Sequence, residues 1–432
     1  MTRRRHLVRT GTMFTAALLL AAACGSDSEP KTPKPGEKVG GTVSVLGAWS
    51  GSEQDSFLAM VKPWEEETGA KVKYTGTRDI STQLTTGLAS GNTPDLAGIP
   101  GPSQLQEFYD KGAAKSLDFV DVDKYSSSTP PGFADLGKAE DGKLVGVFIR
   151  ASVKGLVYYN TKGAYKPGTP KTLDELNQSA RAAATGPTKQ WCIGLESGAA
   201  SGWPGTDWIE DIVLRQSGSE VYDKWVKGKQ KWTSPEIKKA FQTFGEAANN
   251  SHGGARYINN TAFGKAANPI FAKPQGCLLH HQASFITDFF QNEGGAKEGD
   301  YDFIRFPDID PRHSGAVTGG GDLFSMFNDT PQARSLMQYL ITPQAQAIWV
   351  KRGGTISGNK DVPVADYPDA AARKAAGILQ AAKTFRFDAS DQVPAAMNDA
   401  FTKAVIAYVA DQSKLDSILT ELDKAQADAY NE

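Results

Sequence analysis

Between Thr42 and Ile99 the chain changes its hydrophobic period four times, and that alternation constrains its fold more than any other feature. Val43 and Val45 alternate with polar neighbours in TVSVLG, the two-residue period of a strand with one buried face. Phe57, Val61 and Trp64 then share one face of a helix that Gly69 stops. KVKYTG is a second strand, Leu84 and Leu88 mark a second helix, and Gly91 and Pro94 punctuate the approach to a third strand. The order β-α-β-α-β argues for an α/β layer structure with a parallel sheet. In such sheets ligands bind where strands end and turn into helices. Two of those turns carry Trp49, Ser50, Glu53 and Gln54, and then Arg78 and Asp79. Trp49 as core and the acids as helix N-terminal charges is the competing explanation; their convergence at one sheet edge favours a site.

The chain opens MTRRRHLVRTGTMFTAALLLAAACGS, in which Arg3, Arg4, Arg5 and Arg9 precede a short apolar run. Residues 1–23 read as a secretory signal peptide, and TRRRHLV resembles a twin-arginine export signal. Ala21, Ala22 and Ala23 before Cys24 resemble a lipobox, which predicts a lipid on Cys24; an ordinary signal peptidase site is the alternative. Residues 24–40 are rich in Pro, Ser, Gly and charge, with Val39 as the single large apolar side chain, so a flexible tether is expected there.

Residues 1–23 hold four arginines and no acid, so without them the 47 basic and 49 acidic residues become 43 and 49, a net charge of −6. With no basic stripe, a nucleic-acid partner is not expected. Of three cysteines, Cys24 is assigned to the lipid. In an oxidising compartment a disulfide is the economical fate of Cys192 and Cys277. Free thiols, or a metal site with His280 and His281 of CLLHH, are the alternatives, although no metal-ligand spacing is matched.

Leu144 to Tyr159 is an unbroken strand-like run, twice the ordinary strand length, that suits a crossing between two lobes. Tyr158 and Tyr159 alternate faces in it, so one of them would see a cleft. Thr172 stands in capping-box spacing to Glu175, and Ser413 is the expected cap of the last helix. Gly319, Gly320 and Gly321 permit close backbone approach but lack the Lys-Ser/Thr ending of a phosphate loop. SGWPGTDWIED, Ser201 to Asp211, combines indoles with carboxylates, which suits either holding or cleaving a sugar. Trp208 with Ile209 and Ile212 has the alternative of a helix core face, with Asp207 as cap; Glu210 and Asp211 are read as first-turn charges of that helix.

The blocks GAWSGSEQDSF, YTGTRDIS, SGNTPDLAGIPGP, WCIGLESGAASGWPGTDWIEDIVLR, GGGDLFSMFNDTP and FRFDASD make the chain resemble the family 1 extracellular solute-binding proteins, the carbohydrate-binding lipoproteins of bacterial ABC importers, and in particular their α-glucoside-binding members. The resemblance spans nearly the whole mature chain. It implies a two-lobed, type II periplasmic-binding-protein-like fold with the cleft between lobes. Lobe 1 is placed at 41–152 and about 298–345, and lobe 2 at 153–297 and about 346–432. In NDAFTKAV, Phe401 and Thr402 stand where many relatives carry a tryptophan, so stacking from that helix is in doubt.

What this implies is capture of an α-glucoside or related oligosaccharide by lobe closure and its delivery to ABC permease subunits in the membrane. The protein would be an exported monomer, lipid-anchored to the outer face of the cell membrane, with no catalysis, cofactor or metal. Indole rings stack on the C–H faces of sugars, and carboxylates and bidentate donors satisfy hydroxyls. The expected platforms are Trp49, Trp203 and Trp208; the acceptors Glu53, Asp79, Asp207 and Asp322; the donors Gln54, Arg78, Lys154 and Arg386; and Gly320 and Gly321 offer backbone. Arg386 has the alternative of a structural ion pair with Asp388 or Asp391, and Lys154 that of a solvated lysine. A secreted glycoside hydrolase, which needs paired carboxylates, and a glycan-adhesion lipoprotein are the competing functions.

Overall fold

A computed structural model describes residues 31–430 apart from 131 and 383. The signal peptide and Cys24 lie outside the described residues. In the first sheet, β1 (Thr42–Gly47) is flanked by β2 (Lys71–Gly76) and β3 (Leu96–Ile99), both parallel to it, as the sequence predicts. Val43 and Val45 are buried under α1 (Ser52–Thr68), whose Phe57, Met60, Val61 and Trp64 form the facing stripe. Each such side chain contributes about 1.5–3 kcal/mol by leaving water. Gly69 ends α1 in the left-handed region at φ 73°, which a residue with a Cβ rarely adopts. α2 (Ile80–Ser90) leads back into β3, and α3 (Pro102–Asp110) follows it.

The run from Leu144 to Tyr159 is not one strand. It divides into β4 (Val147–Phe148), β5 (Arg150–Val153) and β6 (Leu156–Asn160), and each belongs to a different sheet. β4 closes the first sheet beside β11 (Leu323–Met326), which is antiparallel to β3. The second sheet has the order β12 (Ile356–Ser357), β5, β10 (Ala316–Gly320), β13 (Thr384–Phe387). The third has the order β7 (Lys189–Trp191), β8 (Cys277–Gln282), β6, β9 (Tyr301–Arg305). The break before β6 falls at Gly155, with φ 67°.

The expected limit at 152–153 falls at the end of β5, where the chain steps from the second sheet to the third. β9 pairs with β6, so the chain leaves the third sheet after Arg305 rather than near 298. The helix Pro343–Arg352 packs on α1, beyond the expected limit at 345.

The helix Trp203–Val226 runs through a kink at Gly218 and carries the core of the third sheet's layer. It begins at Trp203, capped by Gly202 rather than Asp207, so Glu210 and Asp211 stand in its third turn, fully buried, and are not first-turn charges. Cys192 and Cys277 form a disulfide beside the β7–β8 pair. Thr172 caps its helix as expected, accepting from the Glu175 amide at 3.2 Å. Ser413 does not cap the last helix, Leu415–Ala429: it lies in the turn Gln412–Lys414 before it, where Asp411 accepts the Ser413 amide at 3.1 Å. The expected tether is corrected from Thr32 onward: the amides of Val39 and Gly40 donate to Thr68 O, and Arg334 donates to Thr32 Oγ1, which ties the segment to the body. Among the described residues no helix is long and apolar enough to cross a membrane.

Candidate ligand-binding site

A cavity of about 590 Å³ opens between the edge of the first sheet and the start of the helix Trp203–Val226, a size within the ordinary range for small-ligand sites. The first-sheet turns bring Trp49, Glu53, Arg78 and Asp79 to it. The second sheet supplies Arg150, Lys154, Gly320, Gly321 and Asp322, and the opposite wall adds Trp203, Phe285, Asp388 and Asp391. The walls also touch across the cavity: Arg78 lies 5.1 Å over the Phe263 ring, Ser52 Oγ donates to Asp288, and the Ala395 amide donates to Glu107 at 3.0 Å.

The cations of the cavity are largely held by carboxylates. Glu53 accepts from Arg150 at 2.7 Å and from Arg78 at 3.1 Å. Arg150 is also 3.7 Å from Asp322, which accepts from the Trp49 indole at 3.0 Å. Burial works against the Arg150 charge, but Glu53 and Asp322 overcome it and hold its pKa above the ordinary value. Burial raises the pKa of Asp322, against the pull of Arg150.

Beneath Trp203, Lys154 Nζ is 2.7 Å from Asp207 and also pairs with Asp388. Burial opposes the Lys154 charge, yet Asp207, Glu210 and Asp391 keep it raised above the usual lysine range. Burial pushes Asp207 up to about 8, with Glu210 adding and Lys154 opposing. Asp391 is pushed up to about 7 by burial, with Lys154 again opposing. Asp207, Glu210 and Asp388 lie close enough together to hold a cation, and the Lys154 ammonium already sits among them. Among the described residues, the carboxylates of Asp79 and Asp391 line the cavity without an ion pair or hydrogen bond of their own, so they are open acceptors.

Several expected ligand residues have other occupations. Trp49 borders the cavity but is 1% exposed, stacked with Tyr74 and Phe324 and edge-on to Trp349, so it is core and a holder of Asp322 rather than a platform. Trp208 is core, packed on Trp191, Phe244, His281 and Phe306. Asp207 is set behind Lys154 and does not line the cavity; nor does Gln54. Arg386 pairs with Asp223 at 2.5 and 2.8 Å, not with Asp388 or Asp391. Lys154 is buried, not solvated. Neither tyrosine reaches the cavity: Tyr158 packs on Phe290 and Phe303, and Tyr159 points to Asp302. Gly321 has a structural cause as well, since a Cβ there would lie 2.7 Å from Arg150 O. Trp203 alone of the three indoles is half-buried on the cavity wall, braced by Phe263 and Phe285.

Sequence reasoning missed Arg150 and Phe285. A lone arginine in an apolar run was the available signal for Arg150, because a buried guanidinium requires carboxylate partners. Thr402, where relatives were expected to carry a tryptophan, also lines the cavity, while Phe401 is core.

A cleft between sheet layers joined by crossing strands, lined by an indole and open carboxylates, defines a solute receptor. The family model described as bacterial extracellular solute-binding protein matches residues 59–376, and the chain belongs to that family. It is a binding protein, not an enzyme. The chain is 35% identical over 377 residues to the osmoprotective compounds-binding protein GgtB of Synechocystis sp., covering 85% of this chain and 88% of that one. It is 33% identical over 393 residues to the alpha-glucosides-binding periplasmic protein AglE of Rhizobium meliloti, covering 87% and 85%. Among solved structures it resembles the bacterial solute receptor AcbH, with TM-score 0.78, 18% identity and coverage of 91% and 100%. A chitin oligosaccharide binding protein gives TM-score 0.75 at 20% identity, covering 91% and 100%. These likenesses establish the two-lobed solute-binding fold.

Proposed function

We propose that this protein is the substrate-binding component of a bacterial ABC importer for carbohydrates, and that its ligand is an α-glucoside or a related oligosaccharide. The observation that carries the reading is the half-buried Trp203 ring on the wall of a cavity that Asp79 and Asp391 also line as open acceptors. An indole covers the apolar face of a pyranose, and carboxyl oxygens accept from its hydroxyls. The names of AglE and GgtB support a sugar or a similar polyhydroxyl solute. We place one lobe on the first sheet and the other on the third, with the second sheet as the junction, so that closure brings Arg78 and Asp79 toward Trp203. Cys24 carries the lipid anchor, and the closed form docks on membrane permease subunits.

The test is thermal shift across a panel of glucosides, polyols and oligosaccharides, followed by calorimetric titration. A ligand at about 100 times its Kd stabilises the folded state by about 2.7 kcal/mol. Trp203→Ala and Asp79→Ala should each abolish most of the best ligand's shift. If both variants keep it, the site is elsewhere; if no carbohydrate shifts the protein, the ligand class is wrong. Radiolabelled palmitate incorporation that survives Cys24→Ala would remove the anchor.

A further inference from the structure

One buried carboxylate outside the cavity, together with its arginine partner, lies beside both connections that cross between the second and third sheets. Asp211 is fully buried on the helix Trp203–Val226. Its Oδ1 accepts from Arg215 Nη1 at 2.5 Å and from the hydroxyl of Thr318 in β10. Its Oδ2 is 2.6 Å from His281 Nε2 in β8. The β5–β6 crossing passes so close to the same group that a Cβ added to Gly155 would lie 2.7 Å from both Asp211 Oδ2 and Arg215 Nη2. The β9–β10 crossing is held next to it, with Arg215 Nε donating to Phe306 O at 3.3 Å and the Asp310 amide donating to Arg215 O at 3.0 Å. The crossings are also tied together: the Phe306 amide donates to Gly155 O at 2.8 Å, and the Lys154 amide to Thr318 O at 2.9 Å.

We propose that Asp211 is a positioning residue of the inter-lobe junction, fixing the angle at which the crossing segments leave the third sheet and so setting the balance between open and closed cleft. This rests on the reading of capture by closure. Asp211 touches no part of the cavity, so its effect on affinity is indirect. The arrangement coexists with the contacts that join the walls, Arg78 on Phe263 and Glu107 on the Ala395 amide, and therefore belongs to the closed form. Loosening it favours the open form and weakens ligand by the cost of restoring closure. His281 and Arg215 are the titratable groups in contact with the carboxylate, Asp207, Tyr222 and Arg305 lie within its electrostatic reach, and Thr318 and Gly155 are its neutral neighbours. Burial opposes the Asp211 charge, but Arg215 and His281 overcome it and hold the carboxyl low, at about 2, so the group stays ionised at every pH of interest.

The experiment uses the full mature chain and combines small-angle scattering of the ligand-free protein with titration of the best glycoside from the panel. Thr318→Val removes one hydrogen bond without changing charge or volume much; Asp211→Asn removes the charge. Both should enlarge the free protein's radius of gyration and raise Kd by roughly fivefold or more, the scale of ordinary allosteric coupling. Thr318→Ser, which keeps the hydroxyl, should restore both values. Trp203→Ala should raise Kd with no change in free-state scattering. If Asp211→Asn does not fold, Thr318→Val decides. A folded Thr318→Val protein with wild-type Kd and scattering overturns the proposal, even if its melting temperature drops. If the wild type binds no glycoside, the ligand reading fails, while the free-state scattering still judges the junction.

Discussion

Lowering the pH from 7.5 to 5.0 should destabilise the folded protein through His280 by about 2 kcal/mol. His280 is 2% exposed in β8, with Nδ1 2.9 Å from Cys192 O. Its Nε2 has no hydrogen-bond partner among the described residues, so a proton added there would be stranded in the core. Burial lowers its pKa from 6.5 to about 4, with the bond to Cys192 opposing. A depressed pKa means that the unfolded chain takes up the proton first. The contribution is therefore whole above pH 6.5, erodes as the pH falls, and is fully lost below about pH 4. The gap between 6.5 and about 4 corresponds to about 3.4 kcal/mol in full, of which about 2 kcal/mol is lost by pH 5.0. Urea unfolding of the wild type and His280→Gln at both pH values, with the disulfide intact, isolates the effect. Glutamine keeps a donor but does not titrate, and the other shifted groups are common to both proteins. The stability advantage of the wild type should shrink by about 2 kcal/mol at the lower pH. Parallel losses in the two proteins would refute the reasoning.

Three further outcomes follow from residues that the structure reassigns or joins. Trp208→Ala should lower unfolding free energy by about 3–5 kcal/mol, since the indole is core and leaves a cavity; a well-folded variant with only weakened ligand binding would return it to the cleft. Arg386→Ala should change stability by no more than about 1 kcal/mol, as expected for a half-exposed pair, and leave Kd within twofold by titration. Replacing Cys192 and Cys277 together by serine should cost about 4.5 kcal/mol, the chain-entropy value for a closure spanning 85 residues, read as the shift in urea midpoint between oxidised wild type and variant.

Local periodicity carried the first three strands and the helices between them. Val43 and Val45, the stripe on α1 and the stop at Gly69 each depend on neighbours a few residues away, and each was legible. The run Leu144–Tyr159 reads as one strand because both faces of its strands are buried, so no alternation distinguishes one long strand from three short ones; the breaks are a bend at Ile149 and the backbone angle at Gly155. The aromatic residues failed for a different reason. A sugar platform and a core both use indoles beside carboxylates, and only the position of Tyr74, Phe324 and Trp349 around Trp49 tells them apart. Arg386 and Asp223 are 163 residues apart, a pairing that no short window contains. In sequence Glu210 looks like a helix-terminal charge, whereas its carboxylate accepts from the amides of Ala389 and Ser390, which come from a distant part of the chain.

The division of Leu144–Tyr159 among three sheets bears on how separable the molecule is. Fourteen residues, from Val147 to Asn160, supply a strand to every sheet. A single insertion there would put later side chains on the wrong face of their sheet. Neither half of the protein can be excised or grafted by cutting once, because each half keeps its edges only through strands contributed by this stretch and by the returning β10 and β11. Under the proposed capture by closure, the lobes would be modules of motion without being modules of folding.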